Sequence, residues 1–270
     1  MRMKCRRMLF GAAQAVVLSS FVAYGLPTHG EENETAKPET TPAAEAPAAD
    51  SALPAEVDLR PTFRELQLPP RPQGRRGTCS VFTTAGAFEF ALAKQSGAGK
   101  PLSVEYLNWA CNQLTHNRRD TGQFFHNLLK GYEEHGICFE SEMPYRSRFS
   151  PRVNPDEEAI ESAHRVRDNK FGVHWIKPIG GKPGFTDEQM IEVKRILASG
   201  YPIAAGASHS RLLVGYVDKS EAAGGGIFYT KDSGSGSFSE VTYEFAKAEI
   251  NDAFWVELSE AAVEAAPKTE

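Results

Sequence analysis

Residues 79 to 95, CSVFTTAGAFEFALAKQ, carry apolar side chains at Val81, Phe82, Ala85, Phe88, Ala91 and Leu92, and Gly97 follows. That spacing predicts a helix packed into a core and stopped by glycine. The helix opens on Cys79, which would sit at its buried N-terminal end. Helix N-termini expose unpaired N–H groups and positive dipole, and both stabilise thiolate over thiol. Six residues upstream, in QGRRGTCSVF, stands Gln73, whose side-chain amide is a natural donor to an oxyanion.

At 270 residues and 41% hydrophobic content the chain can build a packed core, as one large domain or two small lobes. Its net charge of -5 gives no basic footprint and argues against a nucleic-acid partner. The basic start (Arg2, Lys4, Arg6, Arg7) and the apolar run from Met8 to Tyr24 predict a secretory signal over residues 1–25. The run is shorter than the ~20 residues of a spanning helix, so contact with a membrane is expected only through this segment, if it stays uncleaved. Residues 26–53, rich in Glu, Thr, Ala and Pro, read as a disordered linker, and residues 261–270 as a disordered tail. The globular domain is expected over 54–260, in an exported protein of the periplasm, envelope or extracellular space.

Export gives the cysteines meaning. With Cys5 in the signal, Cys79, Cys111 and Cys138 remain, and an oxidising compartment allows two of them to pair. Three pairings are open; Cys111 with Cys138 is preferred, leaving Cys79 as the free thiol.

Further helices are expected over 103–111 with Ser103 as N-cap, over 124–135 closed by Gly136, over 155–167, and from Thr186 to about 199. Strands are expected over 170–179, 201–207, 211–217, 226–231 and 253–258. The chain is therefore α+β. A mainly helical lobe at about 60–150 precedes a β-rich lobe at about 170–258, and unlike lobes imply a cleft between them.

A thiol nucleophile needs a base and a group to orient it. Of seven histidines, His29 lies in the tail, while His116, His126, His135 and His164 fall in polar or helical settings; His174 is a weak alternative. His209 precedes RLLVGYV and is flanked by small Ser208 and Ser210, at the entrance of a strand where an imidazole can face a cleft. Asp232 ends the following strand, 23 residues on, where a carboxylate could fix the imidazole tautomer. The competing reading of Asp232 is a turn residue among Gly and Ser.

With these residues the chain resembles the papain-like cysteine peptidases, in a bacterial-like exported form. VDLRP, QGRRGTCSVF, LSVEYLNWAC, TGQFF with GICFESEMPY, HSRLLVGY and GGGIFYTKDSGSG match that family in order over about 53–258. The resemblance implies a two-lobe fold, helical left and antiparallel β-rich right, with the active site in the cleft. It implies Cys79 as nucleophile, His209 as base and acid, Gln73 with the Cys79 N–H as oxyanion hole, and Gly122 as a backbone contact to an extended substrate. Peptides or proteins would be the substrates, with no cofactor and no metal.

Departures from the family pattern are Asp232 in place of asparagine, Ser80 and Gly234 in place of tryptophans, and Arg76 in place of a disulfide cysteine. Losing the tryptophans is expected to open the histidine's hydrogen bond to water. The excursion before His209 is short, so subsite preference does not transfer, and the N-terminal segment cannot form a helical inhibitory propeptide. The function expected is thiol-dependent peptide hydrolysis; the alternatives are a papain-fold protein that binds peptides without turnover, and an envelope amidase or acyl transferase.

Overall fold

The computed structural model describes residues 53–258, so the expected signal, the linker up to residue 52 and the tail lie outside the described residues. β1 (Glu56–Asp58) and α1 (Arg60–Glu65) lead into α2 (Cys79–Ser96), α3 (Val104–Thr115), α4 (Phe125–His135) and α5 (Glu157–Arg167). Then follow β2 (Phe171–Lys177), α6 (Asp187–Ala198), β3 (Ile203–Gly206), β4 (Arg211–Asp218), β5 (Gly226–Asp232), β6 (Ser237–Thr242), α7 (Tyr243–Glu249) and β7 (Asp252–Leu258).

The helix ends are written in the sequence. Ser103 accepts the Tyr106 N–H at the start of α3, Thr186 and Gln189 close a capping box on α6, and Gly97 ends α2 at φ 72°. The sheet runs β2-β7-β3-β4-β5-β6, with all pairs antiparallel. β1 pairs with β4 at Gly215 to Val217, on the edge where β3 leaves off, so the N-terminal segment of the domain belongs to the sheet. At Gly215 β4 carries an irregularity; a Cβ there would stand 2.2 Å from the Val57 carbonyl, and glycine is what lets β1 approach.

Alternation along the strands divides the interior. Ala204, Leu212, Phe254 and Val256 face α2 and the helical lobe, while Ile203, Leu213, Ala253 and Phe228 face α6 and α7. α2 is thus buried between helices and sheet, and every residue from Ser80 to Ala91 is inside rather than one stripe of them. Its one acid, Glu89, accepts the Leu102 N–H at 2.9 Å and pairs with Arg71 and with Lys231 of β5, so the buried charge is compensated.

The expected bridge between Cys111 and Cys138 is not formed: both are free thiols. Cys111 faces the main core from α3, where the Gly131 backbone packs against its own, whereas Cys138 belongs to a separate cluster under α5 with Tyr106, Ala110 and Ala159. Parity counting cannot see that two buried cysteines face different clusters. Burial pushes each thiol up to about 12.

Candidate active site

Cys79 is the first residue of α2, as expected, and half-buried. His209 lies in the turn between β3 and β4, and Asp232 ends β5 beside it. The β4–β5 pairing brings the two together: His209 Nε2–H donates to Asp232 Oδ1 at 2.7 Å. That bond sets the tautomer and leaves Nδ1 for Cys79.

The electrostatics follow from these contacts. Burial opposes ionisation of Cys79, but hydrogen bonds from His209 and from the Ser210 and Ser80 backbone, with the histidine's charge, bring the thiol below its ordinary value. The bond to Cys79, then that to Asp232, outweighs burial and raises His209 above an ordinary histidine. Opposite shifts in one pair favour a thiolate beside an imidazolium.

Gln73 is held in place from both ends of its amide. Its Oε1 accepts the Ser233 hydroxyl at 2.8 Å and one Nε2–H donates to the Arg76 carbonyl at 2.7 Å. Tyr145 braces the same loop through the Gln73 carbonyl at 2.9 Å and Thr78 at 2.7 Å. Gly77 has no room for a side chain: a Cβ would lie 2.7 Å from the Asp120 carbonyl and 3.1 Å from the Gly122 nitrogen. Gly122, at φ 91°, consequently lines the same cleft as Cys79, a space of about 520 Å³.

No family model matches the chain. It is 29% identical over 117 residues to a cathepsin L-like proteinase of Phaedon cochleariae, covering 43% of this chain and 35% of that one. It is 26% identical over 137 residues to an uncharacterized peptidase C1-like protein of Acanthamoeba polyphaga mimivirus, covering 50% and 42%. The chain thus spans less than half the length of these curated relatives. Among solved structures, xylellain, a cysteine protease from Xylella fastidiosa, superposes with a TM-score of 0.60 at 19% identity over 77% of this chain and 88% of the other. Procathepsin L 3 of Tenebrio molitor larval midgut gives 0.57 at 18%, over 78% and 72%. The chain has the papain-like fold.

Within this papain-like fold the positions without tryptophan act differently from expectation. Gly234 lies against the imidazole so closely that a Cβ would stand 2.9 Å from His209 Nε2, and its N–H donates to Asp232 Oδ1 at 2.7 Å. The backbone thus takes up the space over the His–Asp bond, and Asp232 is only 6% exposed. Its other oxygen accepts Arg211 Nε and the Ser239 hydroxyl, each at 3.2 Å. Burial resists ionisation of Asp232, but His209, the Gly234 N–H and the Arg211 charge hold it below the ordinary carboxylate range.

Arg211 and Ser239 were not foreseen as site residues; Arg211 opens β4 two positions after His209, a spacing visible in the sequence once an acid stands at 232. Arg76, in place of a disulfide cysteine, pairs with Glu105 and Asp120 and donates to the Arg146 carbonyl. His174, the weak alternative base, is bound to Glu257 at 2.9 Å and stacked on Trp255 along β2 and β7. Among the described residues no group of three His, Cys, Asp or Glu is placed to hold a metal, and no helix is long and apolar enough to cross a membrane.

Proposed function

We propose that the protein is a thiol-dependent peptidase acting through Cys79, His209, Asp232 and Gln73. The observation that carries this reading is the arrangement of Cys79 at the head of α2 with the His209–Asp232 pair at 2.7 Å beside an open cleft, and the lowered thiol and raised imidazole accord with it. The thiolate attacks a peptide carbonyl, and the oxyanion is held by the second Gln73 N–H and the Cys79 backbone N–H. His209 gives its Nδ1 proton to the departing amine as the C–N bond breaks. Water then attacks the thioester, losing its proton to His209, and the acid leaves with Cys79 regenerated. Asp232 keeps the imidazole oriented, and Gly122 pairs with the substrate backbone as an added strand.

Export is part of the proposal and rests on the basic start and apolar run of residues 1–25. Recovery of the protein in the cytosolic fraction with residues 1–25 intact would contradict it. For the chemistry, an epoxide or iodoacetamide should label Cys79 far faster than an ordinary thiol, and mass spectrometry should trap an acyl-enzyme. Labelling at an ordinary rate with no acyl-enzyme would favour peptide binding without turnover. A product screen with peptide libraries and peptidoglycan fragments separates a peptidase from an envelope amidase or acyl transferase.

A further inference from the structure

The helical lobe holds a second cavity, of about 280 Å³, that shares no lining residue with the cleft beside Cys79. Its floor is α3, where Glu105, Asn108, Trp109, Asn112 and Gln113 recur at the three- and four-residue spacing of one helical face. The neighbouring face of the same helix, Leu107 and Cys111, packs in the main core. A polar helix face is ordinarily open to water. This one is covered by the 143–154 segment, whose Met143, Phe149, Val153 and Asn154 form the opposite wall, and Glu105 and Asn108 are 3% and 4% exposed.

The buried polar groups of this cavity are oriented but only half used. Gln123 Nε2 donates to Asn108 Oδ1 at 3.4 Å and to Asn112 Oδ1 at 2.6 Å, which fixes how both carboxamides are turned. Neither Nδ2 then meets an acceptor among the described residues. Glu105 Oε2 accepts Arg76 Nη1 and the Arg146 N–H, while its Oε1 receives no donor among the described residues. Two amide donors and one carboxylate acceptor are thus left to whatever occupies the space, and buried groups of this kind require partners. Arg76 already answers the Glu105 charge, so the cavity calls for no counter-ion.

The complement is a neutral ligand with a carbonyl for the asparagines and a hydroxyl for Glu105. Trp109 and Phe149 offer aromatic surface against which the C–H face of a sugar ring can lie, and Met143 and Val153 offer an apolar seat for a methyl group. Water could satisfy the polar atoms but would leave these four side chains without contact. An extended peptide needs a groove along which successive residues can run, whereas this space suits a compact ring.

We propose that this cavity binds an N-acetylated sugar unit of a glycan, its acetamido carbonyl accepting from Asn108 and Asn112 and one hydroxyl donating to Glu105. The site lies outside the catalytic machinery and does not depend on the peptidase reading.

Calorimetric titration of the protein with the β-1,4-linked trimer of N-acetylglucosamine, and with cellotriose, which keeps the linkage and lacks the acetamido groups, tests the assignment. The acetylated trimer should bind with a Kd of ~1 mM or tighter, and at least ~10-fold more tightly than cellotriose. Asn108→Ala should lower that affinity at least ~10-fold. Thermal unfolding checks that the variant is folded, and the half-buried Asn112→Ala carries the same expectation if it is not. Prior alkylation of Cys79 with iodoacetamide should leave the affinity unchanged, because the two spaces are separate. No binding of the acetylated trimer at ~10 mM, equal affinity for cellotriose, affinity that survives loss of the asparagine, or affinity abolished by alkylation of Cys79 would each overturn the proposal.

Discussion

His209 Nε2 and Asp232 Oδ1 are 2.7 Å apart, while Arg211 Nε stands 3.2 Å from the other oxygen of the same carboxylate. A charged acid therefore orients the imidazole, and an arginine compensates the charge. Asp232→Ala should lower kcat/KM by about 10²-fold. It should also move the high-pH limb of the rate profile downward, because Asp232 helps to raise His209. Asp232→Asn should retain more activity but leave the new amide donor facing Arg211 and Ser239, so adding Arg211→Ala should recover activity several-fold. Steady-state kinetics on the double-mutant cycle read the coupling; strictly additive losses would exclude it.

Gly234→Ala places a methyl 2.9 Å from His209 Nε2 and 3.0 Å from Cε1. We expect a loss of about tenfold or more in kcat/KM, with little change in the urea midpoint. Slower Cys79 alkylation in the same variant would locate the damage at the imidazole.

Much of this arrangement was legible in the chain, and the remainder shows why some was not. Cys79, His209 and Asp232 lie at the ends of elements whose periodicity and caps are strong, so their meeting could be expected. β1, three residues long, and α7, seven, are too short to carry a periodic signal, and β6, SFSEVT, lacks the apolar alternation that marks a half-buried strand. The role of Gly234 is one of space, which no composition rule registers.

Arg76 is 4% exposed and held by Glu105, Asp120 and the Arg146 carbonyl. It ties the passage before Cys79 to α3 by charge. Arg76→Ala would leave Glu105 buried without its partner, and urea unfolding should show a loss of about 3–5 kcal/mol. Arg76→Lys should restore only part of it, since an ammonium cannot reproduce the fork.

Cys111 and Cys138 are buried and unpaired. The melting temperature of the domain should therefore be the same with and without dithiothreitol. Thiol titration of the domain should find one fast group, Cys79, in the native state and three after denaturation. A dithiothreitol-dependent fall of several degrees would indicate a bridge.

The pairing of thiolate and imidazolium is tested most directly by the pH dependence of Cys79 alkylation with iodoacetamide. The lowered Cys79 and raised His209 predict rapid alkylation persisting well below the ordinary thiol range of about 8.5, with a second change at high pH as His209 loses its proton. In His209→Ala the first transition should move up, because only the Ser210 and Ser80 backbone N–H groups are then left to oppose burial of the thiol. A single titration at or above about 8.5 in the wild type would contradict the account.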